Sequence, residues 1–155
     1  MKSKFFDAFD KRILAALQED STRSLDELAQ ISGLSRNACW RRVQQLEAAG
    51  VILRRVAILN PDSLGLSLGV IIHVRTNQHS NEWEQQFSKV VEDTPQIISA
   101  YRTTGDIDYI MHARVPDMAG YDALYKKLIS SISLYDVSAH FIMEELKNST
   151  ALPIS

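Results

Sequence analysis

Between Ser35 and Arg55 the sequence concentrates side chains able to read and grip a nucleic-acid duplex. Arg36, Asn37, Trp40, Arg41, Gln44 and Gln45 recur at spacings that share one face of a helix. The forked donors of Arg, and the paired donor and acceptor of Asn and Gln, match the major-groove edges of guanine and adenine. Ser35 heads that helix and belongs to the same surface, while Arg42 and Arg54 are better suited to phosphate. Arg54 and Arg55 are neighbours in an extended run, so they point to opposite faces and at most one lies along a backbone. Across this stretch Arg36, Arg41, Arg42, Arg54 and Arg55 face only Glu47. An exposed Trp40 among arginines is unusual on a surface that meets nothing.

Other chemistry is sparse. The single cysteine, Cys39, excludes an internal disulfide and a four-cysteine zinc site, fits a reducing compartment, and falls on an apolar stripe where it acts as a small core residue. His73, His79, His112 and His140 show no ligand spacing, so no metal and no cofactor are expected. No cluster of nucleophile, base and stabiliser marks an enzyme. The 155 residues carry a net charge of -2, so attraction to a polyanion must be local. Residues 1–60 hold ten Lys and Arg against seven Asp and Glu, whereas residues 61–155 hold seven against twelve. Asp7 and Asp10 interrupt any signal-like apolar start, and the run Leu64 to Val74 is too short to span a bilayer, which points to the cytoplasm.

The elements that must position the arginines are three helices. Phe9, Ile13, Leu14 and Leu17 recur at helical spacing between Phe6 and Glu19. Ser24-Leu25-Asp26-Glu27 has the form of a capping box opening a short second helix with Leu25, Leu28 and Ala29 inward. Gly33 supplies a left-handed stop, and Ser35 caps a third helix that runs to about Ala49 with Cys39, Val43 and Leu46 buried. Short helix, glycine turn and longer helix form a helix-turn-helix. After Gly50, the β-branched run Val51 to Leu59 predicts strand structure, a wing beside the helices.

The turn at Leu59-Asn60-Pro61-Asp62-Ser63 divides the chain into an amino-terminal domain, 1–60, and a carboxyl-terminal domain, 61–155. The second domain predicts a strand from Leu66 to Thr76, a helix from Ser80 to Glu92, strands from Gln96 to Thr104 and Ile107 to Val115, a helix capped by Asp117, and a last strand from Val137 to Leu146. This βαββαβ order makes an α+β fold, an antiparallel sheet with both helices on one face. Val70, Ile72, Ile98, Ile110 and Ile142 supply apolar groups to both faces, so a partner subunit is expected on the open one.

With Asp10-Lys11-Arg12-Ile13-Leu14, Gly33-Leu34-Ser35, Cys39-Trp40-Arg41-Arg42-Val43, Gly50-Val51-Ile52, Leu59-Asn60-Pro61, Gly105-Asp106-Ile107-Asp108-Tyr109, Arg114-Val115-Pro116-Asp117-Met118 and Met143-Glu144-Glu145-Leu146-Lys147, the chain resembles the Lrp/AsnC family of transcription regulators over nearly its whole length. The resemblance implies a winged helix-turn-helix joined to a ferredoxin-like, amino-acid-sensing domain, double-stranded DNA as partner, a nucleoid-associated location, and homodimers assembling into octamers or related rings. It also implies an effector pocket between subunits, with Gly105, Asp106, Asp108, Tyr109 and Asp136 contributing. There Asp106 or Asp108 would receive a ligand ammonium and backbone amides near Gly105 its carboxylate. This chain departs from the family pattern at Val137 and Ala139, where threonines are common, and at Ser133, where glycine is. Loss of those hydroxyls points to an unusual, more apolar or absent effector. Two alternatives remain open on the sequence: a sirohaem-decarboxylase-like enzyme on the same fold, and a DNA-packaging protein of low specificity.

Overall fold

A computed structural model describes residues 6–154, and the chain divides into two compact units, one comprising residues up to Ile58 together with the tail from Lys147, the other spanning Leu59–Leu146. The first unit is built from α1 (Ala8–Glu19), α2 (Leu25–Ser32) and α3 (Arg36–Ala48). Asp7 caps α1 by accepting the amides of Phe9 and Asp10, both at 2.9 Å. The capping box of α2 is complete: the Glu27 amide donates to Ser24 Oγ at 3.3 Å, and the Ser24 amide donates to Glu27 Oε2 at 2.7 Å. Gly33, at φ 73°, ends α2 in the left-handed region that a β-carbon penalises. Ile13, Leu14, Ala16, Leu28, Ala29, Cys39, Val43 and Leu46 form the core of this unit.

Two expectations fail here. Val51 and Ile52 bend back on the end of α3, their amides donating to the Leu46 carbonyl, and residues 53–60 form neither helix nor strand, so the segment forms no sheet in this chain. Leu53 is 87% and Ile58 74% exposed. Strand propensity expresses packing against a neighbouring strand, and without a ladder β-branched residues make no strand by themselves. The division at residue 60 also misassigns the tail. Gln18 on α1 accepts the Leu152 amide through Oε1 at 2.6 Å and donates through Nε2 to the Leu152 carbonyl at 3.2 Å. Ile154 packs against the first unit's core. The tail and the 51–58 segment border a groove of about 830 Å³ beside α1.

The second unit contains β1 (Leu68–Arg75), α4 (Asn81–Glu92), β2 (Ile97–Arg102), β3 (Tyr109–Val115), α5 (Met118–Ser131) and β4 (Asp136–Phe141). The strands form one antiparallel sheet in the order β2-β3-β1-β4. Ser80 and Asp117 cap the two helices. Alternation sends Val70, Ile72 and Val74 of β1, with Met111, Ala113 and Val115 of β3, against Trp83 and Phe87 of α4 and Leu124 and Leu128 of α5. The last strand stops at Phe141, short of the expected Leu146; its continuation is held instead by the Ile142 amide donating to the Gly69 carbonyl and by the Arg114–Glu145 ion pair, 3.1 Å.

The capping box carries a testable pH dependence. Bonding by the Ser24 hydroxyl, then by the Ser24 amide, holds the Glu27 carboxyl below its ordinary value of 4.5. The charged carboxylate is therefore preferred in the folded state, and its stabilisation is present above about pH 4.5 and lost as pH falls through the lower folded value. Ser24→Ala is expected to lower the urea midpoint of helix unfolding, by about 1 kcal/mol in stability, and to flatten that acid dependence.

Candidate nucleic-acid interface

Only three residues of α3, Cys39, Val43 and Leu46, are buried, and their spacing defines one narrow stripe. Everything a half-turn away is exposed: Arg36, Asn37, Trp40, Arg41, Gln44 and Gln45. Trp40 keeps 56% of its surface accessible, so the large ring is not spent on the core. Ser35 Oγ accepts the Ala38 amide at 3.3 Å and thereby fixes where the helix begins. Neighbouring amides of the first turn stay unbonded within the helix and carry its positive dipole end, which suits a phosphate.

The arginines are not equivalent. Arg36 Nε lies 3.0 Å from Asp26 Oδ1, both side chains being largely exposed; such a surface pair is weak and readily exchanged for another anion. Arg41 and Arg54 are exposed. Gln44 donates to Glu47 at 3.1 Å, and Arg55 donates to the same carboxylate at 3.0 Å, so Glu47 restrains both. Arg42 departs from expectation. Its guanidinium donates to Asp7 Oδ2 at 2.7 Å and Asp10 Oδ1 at 2.8 Å and stacks over Phe9, which removes it from the free cationic surface. Asp7 and Asp10 had no sign of this role in sequence, because their pairing depends on how α1 crosses α3.

The residues expected around an effector have separate jobs in this chain. Gly105, at φ 105°, makes the turn between β2 and β3, and Asp106 at its tip is exposed. Asp108 is committed: its Oδ2 accepts the Thr76 amide at 2.8 Å and its own amide donates to the Val74 carbonyl at 3.1 Å. Tyr109 faces the helices, with its ring 4.4 Å from Phe87 and 5.9 Å from Trp83, and burial pushes its phenol above the ordinary value. Asp136 is exposed and sits opposite Arg75 in register. Val137 and Ala139, opposite Val74 and Ile72, turn towards the helix side, so the apolar departures from the family pattern extend the core.

The open sheet face holds a feature that residue spacing concealed. His112 and His140 flank Ile71 on the two neighbouring strands, and His73 lies two residues along β1, with its ring 5.0 Å from that of His140. Strand parity, with β1 central, was the signal that could have gathered them. Among the described residues no group of three side chains is arranged to hold a metal ion. His112 Nε2 is buried without a partner, and that burial lowers its pKa from the ordinary 6.5.

Comparison with known proteins places both units. Residues 6–52 match the winged helix-turn-helix DNA-binding description, and residues 69–152 match the Lrp/AsnC ligand binding domain. The glutamate uptake regulatory protein of Zymomonas mobilis is 49% identical over 148 residues, 96% of this chain and 90% of that protein. A crystal structure of an AsnC family transcriptional regulator from Agrobacterium tumefaciens superposes with a TM-score of 0.92 at 47% identity, covering 96% of this chain and 97% of the other. A Neisseria meningitidis transcriptional regulator, solved as an L-Met complex, superposes with a TM-score of 0.91 at 31% identity over 96% and 97% of the two chains.

Because the folded state disfavours the imidazolium of His112, stability should rise with pH between its lowered folded value and the unfolded 6.5, be complete above 6.5, and fall as pH drops below it. In His112→Gln the urea midpoint of the sheet unit is expected to lose that part of its dependence between pH 5 and 7.

Proposed function

The chain belongs to the Lrp/AsnC family of helix-turn-helix transcription regulators, and we propose that it is a sequence-specific DNA-binding regulator acting as a homo-oligomer under the control of a small amino acid. One observation carries the reading: α3 buries a stripe of three residues and presents Arg36, Asn37, Trp40 and Arg41 to solvent at its amino-terminal end. Those four side chains contact bases or their edges, and Gln44 enters the groove. Ser35 and Arg54 lie along phosphate. Two such helices related by a two-fold axis read half-sites about 34 Å apart, one turn of the duplex. In this reading the protein acts in the cytoplasm, on the nucleoid, and its role as a binding protein rather than an enzyme is supported by relatives named as a regulatory protein and a DNA-binding transcriptional activator. No helix among the described residues is long and apolar enough to cross a membrane.

The unit Leu59–Leu146 carries assembly and effector binding in this reading. Its open sheet face, with Ile71, Ile110 and Ile142, is the surface a second copy covers, and dimers associate further into a ring. The effector lies between subunits. Exposed Asp106 receives its ammonium and amides near Gly105 its carboxylate, with Asp136 nearby, while Asp108 and Tyr109 hold the loop from behind. The L-Met complex of the Neisseria relative supports an amino acid as the effector.

Fluorescence anisotropy with the duplex upstream of the protein's own gene tests this reading. Arg36→Ala with Arg41→Ala is expected to weaken specific binding by about 100-fold. Retention of wild-type affinity and selectivity would refute the assignment of α3. A specific-to-random affinity ratio near one in the wild type would instead favour a packaging protein.

A further inference from the structure

Of the three helix pairs in the first unit, α1 and α3 share the least contact, while α2 packs against both. The link across that thin crossing is polar. Arg42 leaves α3 at the border between its buried stripe and its exposed face and reaches the start of α1. There one nitrogen, Nη1, meets Asp7 Oδ2 at 2.7 Å and Asp10 Oδ1 at 2.8 Å. Asp7 is used on both oxygens, since its Oδ1 already caps α1. The Phe9 ring lies under the Arg42 guanidinium at 5.3 Å and equally far from that of Arg12, whose Nη1 donates at 3.1 Å to the Ser32 carbonyl ending α2. One turn of α1 therefore grips the end of α2 and the middle of α3.

We infer that Arg42 is a positioning residue, a clamp that sets the angle at which α3 meets a duplex, and that it makes no phosphate contact. The inference rests on α3 being the reading helix. A guanidinium between two carboxylates has no net positive charge to offer, and a phosphate drawn to it would meet both acids. Arg42 has only 27% of its side chain accessible and Asp10 only 19%, so the pair is better shielded than the Arg36–Asp26 pair. The lever is long enough to matter. Arg36 is six residues from Arg42, roughly 9 Å along the axis, so a swing of about 10° at the clamp moves it about 1.5 Å, more than a bidentate base contact tolerates.

The decisive variant removes acid, not base. Asp7→Asn with Asp10→Asn keeps a side chain able to cap α1 and takes away two negative charges, which unaided electrostatics turns into tighter DNA binding. The clamp makes it bind its own upstream duplex about tenfold more weakly, with affinity for a random duplex undiminished, at temperatures where circular dichroism shows the helices intact. Arg42→Lys, which keeps the charge but loses the planar fork, is expected to fall likewise, and Arg42→Ala to keep the wild-type slope of log affinity against log salt. Tighter or unchanged specific binding by the double Asn variant overturns the inference. So does a salt slope reduced by about one in Arg42→Ala and restored in Arg42→Lys. If the wild type does not discriminate between the duplexes, the regulator reading fails, and hydrogen exchange without DNA decides the clamp: faster exchange of α3 amides in the double Asn variant sustains it, and unchanged exchange overturns it.

Discussion

The first unit depends on the burial of one narrow stripe. α3 has thirteen residues and buries three of them, Cys39, Val43 and Leu46, against a core supplied mainly by α1 and α2. Removing those side chains from water is the main gain that holds the helix in place. Because the stripe is narrow, nearly all the rest of the helix stays wet. A polar outer face that includes a tryptophan and exposed arginines is the consequence, and recognition chemistry is built on it. Packing and function are two sides of the same cylinder.

A narrow stripe is also a poor guide to angle, since a helix resting on three residues can rock. The first turn of α1 answers this with groups that act at short range and in a set direction. A cap, an aromatic ring within reach of two guanidiniums, and paired carboxylates lie within four residues, Asp7 to Asp10. Apolar contact supplies the adhesion and polar contact the orientation. In the second unit the division runs the other way. Strand register already dictates orientation, so Val137 and Ala139 can be spent on packing, and Asp108 on securing the Thr76 amide.

Local structure was largely legible. The capping box at Ser24, the glycine stop at Gly33, the caps at Ser35 and Asp117, and the βαββαβ order stand where periodicity and capping chemistry put them. Each is decided within a few residues by the need to satisfy end-of-helix amides or to alternate faces. The run Val51 to Leu59 was misread for the complementary reason: a strand needs a partner, and propensity cannot supply one. Likewise, nothing local announced that Gln18 would hold the backbone of Leu152, more than a hundred residues away, or that β4 would stop at Phe141.

The amino-acid sequence by itself determined the elements, the stripe each one buries and hence the face of α3 that solvent sees, because these follow from periodicity and from hydrogen bonds spanning four residues or fewer. Only the tertiary structure decided what individual charged groups do. Arg41 and Arg42 are adjacent and chemically identical, yet one is exposed and the other is held by two acids. A step of about 100° around the helix separates their directions, and whether a carboxylate waits in that direction depends on another helix crossing there. The same holds for the three histidines of the open sheet face, whose meeting is set by strand order rather than by spacing along the chain.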